Sequence, residues 1–308
     1  MNWTVGNSPD AHLPVLCKGN EQLEHKESVI SAYLVIIVSV FISIAAVILN
    51  LLICYVMATN SHLRTPSGIL ILFMAITDFL IGIVTVPLSI ARQSFFIMET
   101  PPPCLLSSIF LQSAVVPTTV TLFLLALLSV DRYLHAIYSR KTSGWKLTRK
   151  YIIFFALMWL FAIGFMIPFH VDRSYEKIAS ALGLFFATSS VSCIVFTHTK
   201  VGLFLLKSRR VIAGSSVQPS ADFRRRWVRK SVVTLIIIIV VFVICCIPRL
   251  IYTILSYRHG PLRYLELHTW SATAIFFNSV ANPIIYLSRS SNVQRILKRY
   301  IDNLRQEQ

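Results

Sequence analysis

Seven stretches of this sequence are long and apolar enough to cross a membrane, and no other feature narrows the possible folds so far. They cover about 29–58, 67–92, 105–138, 151–169, 179–206, 231–256 and 267–288. A hydrocarbon layer of about 30 Å takes roughly 20 helical residues. Backbone groups in lipid must find partners within the chain, so runs of this length are helices. A membrane barrel would instead show short alternating segments. Charged side chains make up only 14% of the 308 residues, against about 25% in a soluble domain. The expected fold is an all-α membrane protein built as a seven-transmembrane helix bundle.

The charges that remain are sorted along the chain. Basic residues crowd the gap after the third run (Arg140, Lys141, Lys146, Arg149, Lys150) and the gap after the fifth, from Lys207 to Lys230. They recur in the tail at Arg289, Arg295, Lys298, Arg299 and Arg305, whereas the opening segment leans acidic with Asp10, Glu21, Glu24 and Glu27. Basic segments stay cytoplasmic, which puts the N-terminus outside and the C-terminus inside, the parity that seven crossings require. The net charge of +16 therefore serves topology, and no nucleic-acid partner is expected.

Residues 1–28 are then an extracellular N-terminus, 29–288 the transmembrane domain, and 289–308 a short amphipathic eighth helix with the cytoplasmic tail. In that last segment Val293, Ile296, Leu297 and Ile301 fall near helical spacing between basic residues, which suits the anionic inner leaflet. Asn2-Trp3-Thr4 is a glycosylation sequon on the outer side. The first apolar run, beginning near Val29, is too long for a cleaved signal core and would direct its own insertion. Of six cysteines, only Cys17 and Cys104 fall in outside segments, where a disulfide persists. A bridge between them and a pair of free thiols both fit.

Several polar residues sit where polarity is expensive. Asp78, in LFMAITDFLIG, lies mid-run, where an ionised carboxylate costs several kcal/mol (about 3 or more) unless paired or hydrated. Asn50 and Asn282 lie at similar depth, Asn278 shares a helix face with Asn282, and Thr121 lies about three turns outward of Arg132. Two readings stand: an interhelical hydrogen-bond cluster that holds helices together, or a small hydrated cation or proton site. Proline interrupts four runs, at Pro87, Pro117, Pro248 and Pro283, and each should bend its helix. At the cytoplasmic mouth of the third run Asp131 and Arg132 stand side by side. Adjacent helical residues do not face one another, so their pairing is loose and breakable, which suits a switch better than a staple.

Taken together these residues resemble the rhodopsin-like family of G-protein-coupled receptors, over essentially the whole chain. The points of likeness are Asn50, LRTPS followed by Asp78, Asp131-Arg132-Tyr133, Trp159, Phe242 with Cys245-x-x-Pro248, and Asn282-Pro283-Ile284-Ile285-Tyr286. The resemblance implies a multi-pass receptor of the plasma membrane that passes an extracellular signal to a heterotrimeric G protein as helix six swings outward. It implies that Asp131 restrains Arg132 at rest, that Arg132 then meets the G protein, and that Tyr286 helps hold the open state. It also implies a sodium pocket at Asp78, Thr121, Asn278 and Asn282, with no other cofactor. Departures from the family pattern accompany this. Cys246 replaces the usual tryptophan of helix six, no acid lies beside Val228 to lock Arg132, and FHVDRSYEKIA has no cysteine to bridge to helix three. A Cys17–Cys104 bridge would be the substitute.

The ligand is constrained mostly by exclusion. Amine receptors of the family carry an Asp where this chain has Ala114, and opsins a Lys where it has Phe276. The outer half instead offers Arg92, Thr118, Cys246, Arg249, Glu266 and His268. Arg249 lies within an otherwise apolar run, where a guanidinium needs an anion or acceptor. An internal pair with Glu266 or a backbone carbonyl fits, and so does an anionic group on an extracellular small-molecule, lipid or peptide ligand. A secondary transporter, which would favour inverted repeats and broken helices, is the rival class. No HExxH, GxSxG or paired-carboxylate arrangement suggests an enzyme.

Overall fold

The computed structural model describes residues 28–138, 145–166, 185–186, 188–204, 219–259 and 264–306. Asn2, Cys17, the segment FHVDRSYEKIA and residues 205–218 lie outside these residues. Every regular element among the described residues is helical. We number them α1 (Val29–Thr59), α2 (Pro66–Ile97), α3 (Cys104–Tyr138), α4 (Trp145–Met166), α5 (188–204), α6 (Pro219–His259), α7 (Leu265–Arg289) and α8 (Ser291–Gln306). Among the described residues, four helical segments are long and apolar enough to cross a membrane by length and composition: Val29–Thr59, Pro66–Ile97, Cys104–His135 and Val232–Ser256.

The distribution of side chains is inverted relative to a soluble protein. Ile30, Leu34, Phe41, Ile44 and Ile48 are exposed along α1, as are Val240, Ile244, Ile247 and Leu250 along α6. Ser39, Asn50, Asp78, Thr121, Ser271 and Asn282 are buried. In water such continuous apolar faces would aggregate; in lipid they cost nothing, and the polar groups gather where protein alone surrounds them. The central apolar core joins α2, α3, α4 and α6 through Phe73, Leu124, Leu128, Met158 and Ile238. Phe73 of α2 stacks on Phe155 of α4 at 4.2 Å between ring centroids, and Trp159 meets Phe155 edge-on.

Three boundaries differ from the hydropathy reading. α6 begins at Pro219 rather than near 231, and α4 at Trp145 rather than near 151. Lys and Arg are good helix formers, so these helices run on past the apolar core. α2 continues to Ile97 instead of 92. It stops where Glu99 adopts φ 53°, the left-handed conformation that closes helices, and Pro101, Pro102 and Pro103 prevent resumption.

The start of α2 is set equally locally. Thr65 accepts the Gly68 amide at 3.2 Å, Pro66 occupies the first turn, and the Ser61–Leu63 turn folds back onto it. A Cβ at position 68 would lie 2.0 Å from the Leu63 carbonyl oxygen, so only glycine fits.

Two of the four prolines, and the backbone ahead of a third, come with specific local features. Ahead of Pro87, α2 contains a π turn at Ile81–Thr85, a backbone defect that hydropathy does not register. Proline also deprives the carbonyl four residues earlier of its amide, and here neighbouring helices answer that loss. For Pro117 the orphan is Ser113 O, and Thr85 Oγ1, at the end of the π turn, donates to it at 2.5 Å. For Pro283 it is Ser279 O, which Asn50 Nδ2 of α1 meets at 2.9 Å. Two orphaned carbonyls thus become two interhelical ties.

The apolar face of α8 is shared with protein. Val293 and Ile296 are buried in a cluster with Ile53, Val56, Met57 and Ala75, and Tyr300 donates to Thr59 Oγ1 at 3.2 Å. Only Ile301 of the expected stripe stays exposed.

Candidate functional site

Three polar constellations are stacked along the helix axes. The middle one is built around Asp78, which is 0% exposed. Asn282 of α7 donates to Asp78 Oδ2 at 2.9 Å. Asp78 Oδ1 has no hydrogen-bond partner among the described residues, and the same holds for Asn50 Oδ1, Thr121 Oγ1, Asn278 Oδ1, Ser279 Oγ and Asn282 Oδ1. Asp78, Asn50 and Asn282 line one cavity of about 20 Å³ with Pro283 and Tyr286, room for about one water. Thr121 and Asn278, expected in the same site, are buried but do not line that cavity. One carboxylate oxygen with hydroxyl and amide oxygens is a donor set for a hard cation. Among the described residues no three His, Cys, Asp or Glu side chains converge on a metal position.

The second constellation lies at the end of α3. Asp131, 5% exposed, accepts a hydrogen bond from Ser67 Oγ of α2. Tyr151 OH of α4 stands 3.5 Å from its other oxygen, and His135 Nε2 is 3.9 Å away, one turn on. Neither Ser67 nor Tyr151 was singled out in the sequence. Ser67 is the last residue of the LRTPS motif, so a signal existed, whereas nothing marks Tyr151 among the aromatic residues of α4. Tyr133 is half-buried.

Arg132, the next residue, faces elsewhere, because successive helical side chains diverge by about 100°. It lines a cavity of about 190 Å³ at the ends of α2, α3, α6, α7 and α8. Ile71, Leu128, Ile238 and Tyr286 line both this cavity and the one beside Asp78. Three apolar side chains and one phenol therefore separate the buried carboxylate from the Arg132 chamber.

The third constellation occupies the opposite end. Arg92 of α2 lies over the Phe110 ring of α3, 5.2 Å from its centroid, and Phe110 meets Phe276 of α7 edge-on. Arg249 lies over Tyr252 at 5.2 Å, and Tyr252 meets His268 of α7 at 4.9 Å. Both guanidinium groups are near enough to act electrostatically on Tyr252 and His268.

Glu266 is not Arg249's partner: it is exposed and accepts the Ser28 amide at 2.8 Å, ahead of α1, where helix-start amides favour an anion. Ala114 packs into the apolar cluster of Phe110 and Phe276. The Thr118 hydroxyl donates to Ala114 O at 2.7 Å, on its own helix. Cys246 is half-buried, and it is a free thiol together with Cys54, Cys193 and Cys245. Cys104 is disulfide-bonded; its expected partner, Cys17, lies outside the described residues.

Comparison with known proteins gives these constellations a context. The family of 7 transmembrane receptors (rhodopsin family) matches residues 49–199, from just before Asn50 into α5. Melanocortin receptor 5 of Mus musculus is 22% identical over 98% of this chain and 93% of its own length. Trace amine-associated receptor 9 of Rattus norvegicus is 26% identical over 79% and 80%. The Pyroglutamylated RF-amide peptide receptor of Mus musculus is 23% identical over 80% and 64%.

Proposed function

We infer that this chain, which belongs to the rhodopsin-like family of G-protein-coupled receptors and is a multi-pass membrane protein, relays an extracellular ligand signal to a heterotrimeric G protein. In this reading α1–α7 are seven membrane crossings with the N-terminus outside, and α8 lies along the inner leaflet. The Arg132 chamber then faces the cytoplasm. The observation that carries the reading is the position of Arg132: it lines a chamber bounded by α6 and α7 while its neighbour Asp131 is held by α2 and α4. Outward motion of the α6 foot opens that chamber to a G protein without disturbing the Asp131 anchor. Tyr286, in the wall shared by both cavities, couples the two levels.

The experiment is nucleotide exchange on purified G protein by receptor in nanodiscs. Wild type should stimulate exchange, and Arg132→Ala, properly inserted, should abolish it. Equal exchange by both proteins would defeat the reading.

At the buried centre, Asp78 with Asn282 and the orphaned oxygens supports a sodium site that favours the inward state of α6. When bound, the ion supplies a positive charge to offset the carboxylate; the residues of this chain position it and exclude bulk water. At the outer end the ligand carries an anionic group held by Arg249 and Arg92. Ala114 offers no carboxylate to a ligand amine, in contrast to what the name of trace amine-associated receptor 9 indicates for that relative. Arg249→Ala should raise the half-maximal concentration of an anionic agonist at least tenfold. A Cys17–Cys104 bridge would tie the N-terminus to α3, and non-reducing peptide mapping should recover the linked pair. The same mapping tests whether Asn2 carries a glycan.

A further inference from the structure

Thr234 places a hydroxyl in an otherwise apolar stretch of α6, VVTLIIIIV. Its proton is already committed: Thr234 Oγ1 donates to the Lys230 carbonyl, one turn back on its own helix, at 2.8 Å. Helical threonines settle readily in that rotamer, where the hydroxyl satisfies itself on its own backbone. A hydroxyl has one proton and two lone pairs, so what Thr234 still offers to a neighbouring helix is an acceptor.

Arg289 of α7 uses it: Arg289 Nε donates to Thr234 Oγ1 at 3.1 Å. Arg289 is the last residue of α7, where the helix-end carbonyls favour a cation. The chain turns at Ser290, whose amide donates to Tyr286 O at 2.9 Å, and α8 follows from Ser291. Arg289 therefore stands at the corner between two helices. It donates through Nε, the guanidinium nitrogen nearest the backbone, so the bond tolerates little relative movement of α6 and α7 before it breaks.

This bond differs in kind from the packing around it. Leu235 and Ile238 of α6 enter the central apolar core, and such burial is non-directional. A hydrogen bond has a fixed length and angle, so it specifies where α6 sits against α7. Its position also links it to the switch. Thr234, Arg289 and Tyr286 line the same chamber, and Tyr286 lies one turn before Arg289 on α7.

We propose that the Arg289–Thr234 hydrogen bond is the positioning contact that holds this end of α6 inward at rest, a restraint running between α6 and α7. Its signalling consequence rests on the receptor reading above. When the turn of α7 that bears Tyr286 shifts, Arg289 is carried with it, the bond breaks and α6 is released. The tie is separate from the Asp131 anchor, which runs to α2 and α4.

The test reads the position of α6 itself, so it needs no signal from a G protein. Spin labels are carried on p-acetylphenylalanine placed at Lys150 of α4 and Arg229 of α6, both exposed. The distance between them is measured by pulsed electron resonance on full-length protein in nanodiscs without agonist. Thr234→Val keeps the shape and removes the acceptor; Arg289→Met keeps the stem and removes the donor. Each should raise the ratio of longer to shorter distances about tenfold, as loss of one hydrogen bond to a charged group does. The double variant should move no further than either single one, because both remove the same bond. Thr234→Ser, which keeps the hydroxyl and loses a methyl, should retain the wild-type distribution. If Thr234 served packing alone, Ser would disturb α6 more than Val, and that order overturns the proposal. So does a wild-type distribution in Thr234→Val, or full additivity in the double variant. Nucleotide exchange run in parallel separates the two readings. Shifted distances with no exchange by any variant would leave the tie standing and defeat the G-protein relay. Exchange by wild type with unchanged distances in Thr234→Val would remove the tie alone.

Discussion

Asp78 and Asp131 are both carboxylates with almost no exposed surface, 0% and 5%, yet their surroundings treat them oppositely. Asp131 is met by a hydroxyl from α2, a phenol from α4 and an imidazole one turn along α3. Asp78 accepts from Asn282 at 2.9 Å, has the Ser279 hydroxyl close enough to act on it, and lies among oxygens that have no partner within hydrogen-bond geometry among the described residues. A buried acid whose oxygens are answered by three elements is an anchor. A buried acid with an unanswered oxygen beside a small cavity is half of a binding site, because acceptors without donors are costly until something positive or protic arrives.

The sharpest way to break that contrast is to remove each carboxylate in turn. Asp131→Ala strands Ser67, Tyr151 and His135 at once and should cost about 3 kcal/mol, the upper end for hydrogen bonds to a charged group. The expected reading is a marked fall in the Tm of the protein in nanodiscs, with raised ligand-free nucleotide exchange. Asp78→Asn should behave differently. It removes a charge that was expensive to bury, so Tm without sodium should hold or rise. What it should lose is the sodium response: wild type gains up to about 2.7 kcal/mol at a hundredfold excess of sodium over Kd, and the variant nothing. If Asp78→Asn unfolded as readily as Asp131→Ala, both acids would be anchors and the sodium site would go.

The sequence announced both acids but not their difference. Asp78 stands out as a charge inside an apolar run, Asp131 as a charge at the end of one, and both places follow from hydropathy alone. The partners do not, because they arrive from helices far away in the chain: Asn282 is 204 residues from Asp78, and Ser67 is 64 from Asp131. The described helices overlap the apolar runs for the same reason, since a hydrocarbon layer imposes a length. The extension of α6 back to Pro219 was not, because beyond the layer nothing in hydropathy marks where a basic helix begins. The π turn at Ile81–Thr85 was invisible because it is a backbone register change with no side-chain signature. Glu266 misled for another reason: its nearness to Arg249 in the expected fold suggested a pair, whereas the amide of Ser28 takes it.

The contrast extends to neutral groups, where the effect is smaller. Ser113 O is orphaned by Pro117 and answered by the Thr85 hydroxyl, which makes it a neutral counterpart of the anchored acid. Thr85→Val keeps the shape and removes only the donor. It should cost about 1 kcal/mol and lower Tm by a few degrees, with unchanged sodium response. A fall as large as that of Asp131→Ala would show that the tie between the π turn and α3, rather than the Asp131 anchor, dominates this half of the molecule.

The smallest expected effect sharpens the anchor itself. Tyr151 OH stands 3.5 Å from Asp131 Oδ1, at the edge of hydrogen-bond geometry, whereas Ser67 approaches the other oxygen closely. If the anchor is mainly the α2–α3 tie, Tyr151→Phe should change Tm by less than about 0.5 kcal/mol equivalent, and Ser67→Ala by about 1–2. The double variant then reports whether the two donors act independently, since sites sharing one acceptor depart from additivity. A double variant worse than the sum would mean that Tyr151 moves in when Ser67 is lost. In that case Asp131 retains a donor from α4 as the end of α2 shifts, and the anchor persists through motion on that side of the bundle.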